Sequence, residues 1–408
     1  MAHNLNASSL VSKQLVQSLH AKGNLINTVN KSYSKDFTQK KYTPGQTVTI
    51  DIAPQATITS GRVGVPQDMK HRSTSVTLGQ YNGIFELTSI QKGYDVAEWR
   101  KFGDTIAGRL IREMEKTGFE YARDNVAQSV GDPGTQPGAL RTWGEARAKI
   151  TKALGPMRAP HAAADPLAMV ALTDALKNAK NPGEEISNQY LRGRMTKAAG
   201  LNFYESESIA RHTAGSTSNT TPLTVGASTT EATTLSIDGL SAATATVKKG
   251  QKFTIGVLGT STAVLAVDPE TKQTLSYLRE FTVTADKTGS SSAITDLPIS
   301  PTIYGPTSGS LQNVSQLPPN DAEVIFKTIS SVTRDCNLVY DADAFTLVSV
   351  PLPAAEGDVH TFSEYEGIQM RIGMGAWDAI NDRQYMRVDA VWAWGMLNQD
   401  HACIVYGA

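Results

Sequence analysis

Between residues 95 and 130, apolar side chains return every three or four positions. Trp99, Phe102, Ile106, Leu110, Met114 and Tyr121 form one stripe, while Arg100, Lys101, Asp104, Arg109, Arg112, Glu113, Glu115 and Lys116 fill much of the remainder. That period predicts one long amphipathic helix, roughly 45 Å or more at the helical rise. Asp95, with Glu98 three residues on, reads as a capping box, and Gly131-Asp-Pro-Gly134 as the stop. Gly103, Gly108 and Gly118 predict a weak point or kink. Shorter helices are expected at 143–154 and at 166–180, the latter begun by Asp165-Pro166 and ended by Asn181-Pro182-Gly183. Residues 8–30 place Leu10, Val11, Leu15, Leu19, Leu25, Ile26 and Val29 among polar residues, which suggests one or two short amphipathic helices in an arm.

Elsewhere the period is two. Val48, Ile50 and Ile52 alternate with polar residues, as do Val76 and Leu78 within 74–80. Together they predict a hairpin with a long polar tip that ends in Lys70-His71-Arg72, too long to be buried against its own domain. Ile368, Met370, Ile372 and Met374 alternate, and so do Met386, Val388, Ala390, Trp392, Trp394 and Met396, with Asn381-Asp382 in the turn. These read as two long paired strands, each with one apolar face. Thr346–Val350 is a further strand candidate, and 201–205 a short one.

The texture changes at residue 213. Ser and Thr dominate up to Ser236, and strand candidates follow at 235–237, 252–257, 263–267 and 281–285, separated by turn signals such as Lys249-Gly250 and Asp268-Pro269. Short strands at close spacing predict a small barrel or sandwich. Residues 305–320, rich in Pro, Gly, Ser and Asn, read as a return linker. Elements of another kind flank the β unit on both sides, so it reads as an insertion in a discontinuous α+β domain.

Composition supports a globular chain: 408 residues, 40% hydrophobic and 19% charged, with a formal net charge of -1. That balance argues against a generally basic nucleic-acid binder. Two cysteines, Cys336 and Cys403, do not make a disulfide framework, so a reducing compartment is expected. The polar first twenty residues lack the apolar core of a signal peptide, and no apolar run is long enough to span a bilayer.

The histidines 3, 20, 71, 161, 212, 360 and 401 are scattered, with no HExxH pair, and no CxxC, phosphate-binding loop or GxSxG occurs. Neither a catalytic residue nor a metal or cofactor site is assigned. Asp341 and Asp343 fit either a cation site or, more simply, the cap of a turn. Cys336 reads as a buried small hydrophobe rather than a nucleophile. Trp377, Trp392 and Trp394 are core residues or a stacking platform. Lys248, Lys249 and Lys252 form a basic cluster at a turn. It reads as a solvated group that discourages edge pairing, or as a site for an acidic partner or nucleic acid.

The order of these parts resembles the major capsid protein of tailed bacteriophages, the Hong Kong 97 fold, and is most similar to coat proteins of short-tailed enteric phages, which carry an inserted β-barrel. The stretches that carry the resemblance are ATVKKGQKFTIG (245–256), GLNFYESESIARHTAG (200–215), DADAFTLVSVPLP (341–353) and the closing GIQMRIGMGAWDAINDRQYMRVDAVWAWG. The resemblance implies an α+β fold with an N-terminal arm (1–41), an extended loop hairpin (42–94), a spine helix region (95–139), an axial domain in two parts (140–221 and 335–365), an inserted β-barrel domain (222–334) and closing peripheral strands (366–408). It implies a shell of hexamers and pentamers around double-stranded DNA, without sequence-specific binding or a membrane. It also implies scaffolding, portal and decoration proteins as partners, synthesis in the host cytoplasm and residence in the virion. Lys70, His71 and Arg72 become candidate contacts to a neighbouring subunit. Relatives carry a charged bridging loop early in the insertion. Here that region is the nearly uncharged STTEATTLSIDG, which leaves Asp268, Glu270 and Lys272 as candidates by charge. The competing readings are an encapsulin-type shell protein, a carbohydrate-binding or adhesion protein that uses 222–334, and a hydrolase without a recognisable motif.

Overall fold

The computed structural model describes residues 24–31, 45–52, 62, 72–88, 96–133, 136–153, 160–175, 195–217, 222–327, 331–352, 359–365 and 368–407. The chain divides into two compact units. One comprises Met1–Ile52, Ser73–Gly118 and Phe345–Leu397, the other Ala53–Arg72, Phe119–Ala344 and Asn398–Ala408. The division falls within the long helix, Val96–Asn125.

The first unit is organised around the 14-residue strand Arg383–Met396. Phe345–Ser349, Ile368–Met374 and Gly79–Thr88 pair with it antiparallel, and Val359–Tyr365 pairs with Ile368–Met374. The alternation expected at 368–374 is realised, with Ile368, Met370 and Ile372 buried, but the one expected at 386–396 holds only from Met386 to Val388. From Val388 to Met396 every residue is buried, Asp389, Val391 and Ala393 included, so both faces of that stretch are covered rather than one. Thr47–Ile52 pairs with Arg72–Thr77, as the hairpin reading requires, and Val48, Ile50 and Val76 enter a core with Val348, Val391 and Ala393. Against this sheet lies the first part of the helix. The indole Nε1 of Trp392 donates to Thr117 Oγ1 at 3.1 Å, and that of Trp394 to the Met114 carbonyl at 3.1 Å. Both tryptophans are therefore core residues with satisfied polar edges. Gly118 permits the contact. A Cβ there would lie 2.7 Å from the Trp394 ring and 2.8 Å from Leu25. This close approach, rather than a kink, explains that glycine, since the helix runs unbroken.

The second unit holds a six-stranded sheet in the order Ser129–Val130, Ala402–Val405, Asn337–Tyr340, His161–Ala164, Leu201–Glu205, Lys197–Ala198. Helices Leu140–Lys152 and Pro166–Ala175 supply Trp143, Ala146, Ile150, Met169 and Leu172 to its core. Between Arg211–Thr213 and Thr333–Asp335, which pair antiparallel, the chain makes a β module. Its main sheet runs Val324–Phe326, Lys252–Ile255, Glu280–Val283, Ile294–Ile303, Ala232–Asp238, Leu223–Thr224. It has an apolar core of its own, in which the Phe253 ring stands 5.7 Å from that of Phe281 and 5.6 Å from that of Phe326.

Several expectations are corrected. The long helix ends at Asn125, before the Gly-Asp-Pro-Gly signal, because residues 126–130 turn into a sheet strand. Asp95 of the expected capping box lies outside the described residues. The helix expected at 143–154 begins at Leu140. The described part of the one expected at 166–180 ends at Ala175. The ten-residue strand Ile294–Ile303 was not foreseen, because Pro298 and Pro301 argue against a strand. Its register shifts opposite Ala232–Asp238 place irregularities where prolines are tolerated. Residues 305–320 are not a free linker. Pro306–Leu311 forms a 3-10 helix, Val314 is fully buried, Asn313 bonds both Thr302 and Tyr304, and Gln316 donates to the carbonyls of Ser261 and Ala263.

Candidate functional site

The buried charged residues that seat the β module carry the most information. Lys252 and Glu280 come from paired neighbouring strands of the module. Both leave its apolar core and enter the rest of the second unit.

Lys252 is fully buried, against the solvated reading of its cluster. Its Nζ donates to the carbonyl of Arg123 at 2.9 Å, to that of Val126, and to Thr282 Oγ1 at 2.9 Å. Helix ends leave carbonyls without partners. The module supplies a donor to them, and a cation suits the negative end of the helix dipole. Burial pushes the Lys252 amine down to about 8. Its two neighbours in sequence behave differently. Lys249 reaches Asp124 at 3.1 Å, and Lys248 pairs at 2.8 Å with the exposed Asp286. Gly250, at φ +84°, forms the turn that brings Lys249 and Lys252 to the helix end; a Cβ there would meet Asp124 and His212. His212 is buried beside them, its Nε2 2.9 Å from the Lys249 carbonyl, and burial lowers it to about 4.

Glu280 is the anionic counterpart. Its carboxylate accepts from the Ser129 backbone N–H, from Lys149 Nζ at 2.7 Å and from Lys327 Nζ. Burial opposes its charge, but Lys327 and Lys149 outweigh burial and hold it below the usual carboxylate range. For Lys149, burial opposes the charge and Glu280 reverses the balance, so its ammonium lies above its ordinary value. Just before the strand of Glu280, Arg279 pairs with Asp400 at 2.9 Å, and against the cost of burial that arginine lowers the Asp400 carboxyl. An open cleft of about 760 Å³ borders this cluster, where Lys149 and Lys152 stand 5.7 and 5.5 Å from the Tyr277 ring centre.

The sequence candidates fall elsewhere. Lys70 and His71 lie outside the described residues; Arg72 opens the strand Arg72–Thr77. Asp268 shapes a turn by accepting the backbone N–H groups of Glu270 and Thr271, both at 2.9 Å. Lys272, at φ +57°, reaches the Ser310 carbonyl at 2.5 Å, and Glu270 is exposed. Asp341 accepts the Ala342 N–H within a turn, the capping alternative. Burial pushes the Cys336 and Cys403 thiols up to about 11 and about 12, which makes them poor nucleophiles. Among the described residues, no group of three or more His, Cys, Asp and Glu could hold a metal ion, and no helix is long and apolar enough to cross a membrane. Lys252 and Glu280 as docking residues escaped the sequence reading. A lysine and a glutamate within otherwise apolar strand patterns were the available signal.

Comparison with known proteins finds the following likenesses. A structure from Mycobacterium phage Che8 is 10% identical, with a TM-score of 0.48 over 94% of this chain and 90% of that chain. The mature capsid of bacteriophage PhiM1 is 10% identical, with a TM-score of 0.41 over 89% and 82%. A virus-like particle from Pyrococcus furiosus is 7% identical, with a TM-score of 0.42 over 98% and 100%. No curated protein matches. The sequence itself matches the family described as P22 coat protein, gene protein 5, over residues 67–404. With most of its length matched, the chain belongs to the P22 coat protein family and is a major capsid protein of a tailed bacteriophage.

Proposed function

We propose that copies of this coat protein form hexamers and pentamers that close into an icosahedral shell around packaged double-stranded DNA. The family match over residues 67–404 carries this reading. The formal net charge of -1 suits a wall that encloses DNA without gripping it. The role is structural rather than enzymatic. Synthesis takes place in the host cytoplasm, and assembly uses a scaffolding protein and a portal, with a decoration protein as a further partner. Residues 1–41 act as an arm, 42–94 as a loop laid across a neighbour, 95–139 as the spine, 140–221 with 335–365 as the axial domain, 222–334 as the inserted domain, and 366–408 as the closing peripheral strands. Lys70, His71 and Arg72 contact one neighbouring copy, and the turn bearing Asp268, Glu270 and Lys272 faces another.

The test is electron microscopy of sedimentation fractions of the expressed chain, alone and with its scaffolding protein. Closed shells with five- and six-fold clusters are expected. A chain that stays monomeric with scaffold present, or particles filled with protein cargo instead of DNA in infected cells, would overturn the proposal.

A further inference from the structure

Lys252 is 1% exposed, yet none of the groups that accept its hydrogen bonds carries a charge: two are backbone carbonyls and one a hydroxyl. An ammonium removed from water keeps most of its desolvation cost unless an anion is bound to it. We propose that the β module is latched by a proton-coupled lysine: seating Lys252 on the end of the long helix favours loss of its proton, so the module holds more tightly as the solution becomes alkaline. This inference does not depend on how copies of the chain assemble.

The groups around Lys252 leave it a titration window of its own. Arg123 and Asp124 face it from the helix end, Glu280 from the neighbouring strand, His212 from Arg211–Thr213, and Cys336 and Cys403 from the sheet beyond. Burial sets the lysine at about 8, with Cys336, Asp124 and Glu280 pulling upward and Arg123 downward. Burial also acts on Asp124 and Glu280, but their cationic partners hold both below the usual carboxylate range, so they stay charged. His212 sits at about 4 and the two thiols at about 11 and about 12. An exposed lysine titrates near 10.5. Between about pH 8 and 10.5 the released state therefore binds one more proton than the seated state, and stability rises with pH. The thiols oppose this above about pH 9, since they ionise in the unfolded chain but not in the folded one. A reference that leaves the thiols untouched is needed.

Lys252→Arg is that reference, because a guanidinium keeps its proton throughout this range. Lysine-labelled subunits are titrated by NMR. One lysine side-chain resonance is expected to titrate near pH 8 in the wild type and to vanish in Lys252→Arg. In urea unfolding, the wild-type unfolding constant is expected to fall relative to the variant by up to about tenfold per pH unit between pH 8 and 10. If the variant does not fold, Thr282→Ser assigns the resonance through its altered shift. The proposal is overturned if no lysine resonance titrates below about pH 10, or if the ratio of the two unfolding constants does not change with pH.

Discussion

One helix is held in two different ways. Around Glu115 the fastening is largely apolar and shape-driven. Two indoles lie on the helix with their N–H groups satisfied, and Glu115 itself accepts the backbone N–H groups of Asn24 and Leu25 at 2.5 and 2.8 Å. Around its last turn the fastening is polar, with Lys252 on the carbonyls, and an ionic cluster of Glu280 with Lys149 and Lys327 lies nearby. The two glutamates are both buried but titrate in opposite directions. Burial raises Glu115, which has only backbone donors to oppose it, whereas Glu280 has two cations and is lowered despite burial. The comparison shows that burial by itself does not decide the charge of a carboxylate; the partners buried with it do. A shape-driven seam gains stability from area. An ionic seam costs desolvation and in return admits one arrangement of partners.

The sharpest way to break the comparison is Glu280→Gln. It leaves two poorly solvated ammonium groups without their anion, and a loss of about 3–5 kcal/mol is expected in urea unfolding. A loss below about 1 kcal/mol would mean that the ionic seam contributes no more than surface pairs do. Gly118→Ala attacks the other seam. The alanine gains roughly 1 kcal/mol of helix propensity, but its methyl would overlap Trp394 and Leu25, at an overpacking cost of roughly 1–3 kcal/mol. A lower Tm is expected, and a higher one would show that the indole has room to move.

Acid titration separates the two glutamates by sign. The Glu280 contribution is present above the ordinary glutamate value of 4.5 and is lost as pH falls through its lowered folded value. The Glu115 contribution is complete below 4.5 and is lost as pH rises through its raised value. Unfolding free energies of wild type, Glu280→Gln and Glu115→Gln between about pH 3 and 7 should therefore diverge in opposite directions. The smallest effect is that of Glu115→Gln at pH 7. An amide oxygen can accept the same two N–H groups without the cost of a buried charge, so a change within about 1 kcal/mol is expected. A loss above about 2 kcal/mol would show that Glu115 works as a charged group.

Regular periodicity was legible in the sequence. The helix stripe from Ile106 to Tyr121 appears in the structure, because a helix satisfies its own backbone and needs only one apolar face. The strand Arg383–Met396 was legible too, though its polar-side positions Asp389, Val391 and Ala393 are also buried because neighbouring elements cover both faces there. Boundaries were less legible. Nothing local in residues 126–130 announces that they leave the helix to pair beside Ala402–Val405, a partner far along the chain. Ile294–Ile303 was hidden by its prolines, whose tolerance depends on a register shift in a strand some sixty residues earlier. The site was the least legible part. Lys252 shares a turn with two lysines that do meet water or an ion pair. Its burial follows from a helix end 126 and 129 residues away.

The module's incoming and outgoing strands lie side by side, from Arg211↔Asp335 to Thr213↔Thr333, and are pinned by an Arg211–Asp335 ion pair at 2.7 Å. Everything between them therefore hangs from two points only about 5 Å apart, the spacing of neighbouring strands. In design terms this is a socket. Any domain with adjacent termini could be grafted onto it without stretching the host sheet, and a short hairpin turn could close it. What the socket does not supply is chemistry. A substitute domain would also have to present a donor to the helix-end carbonyls and an anion to Lys149, so foreign domains of matching shape should attach yet leave the helix end uncapped.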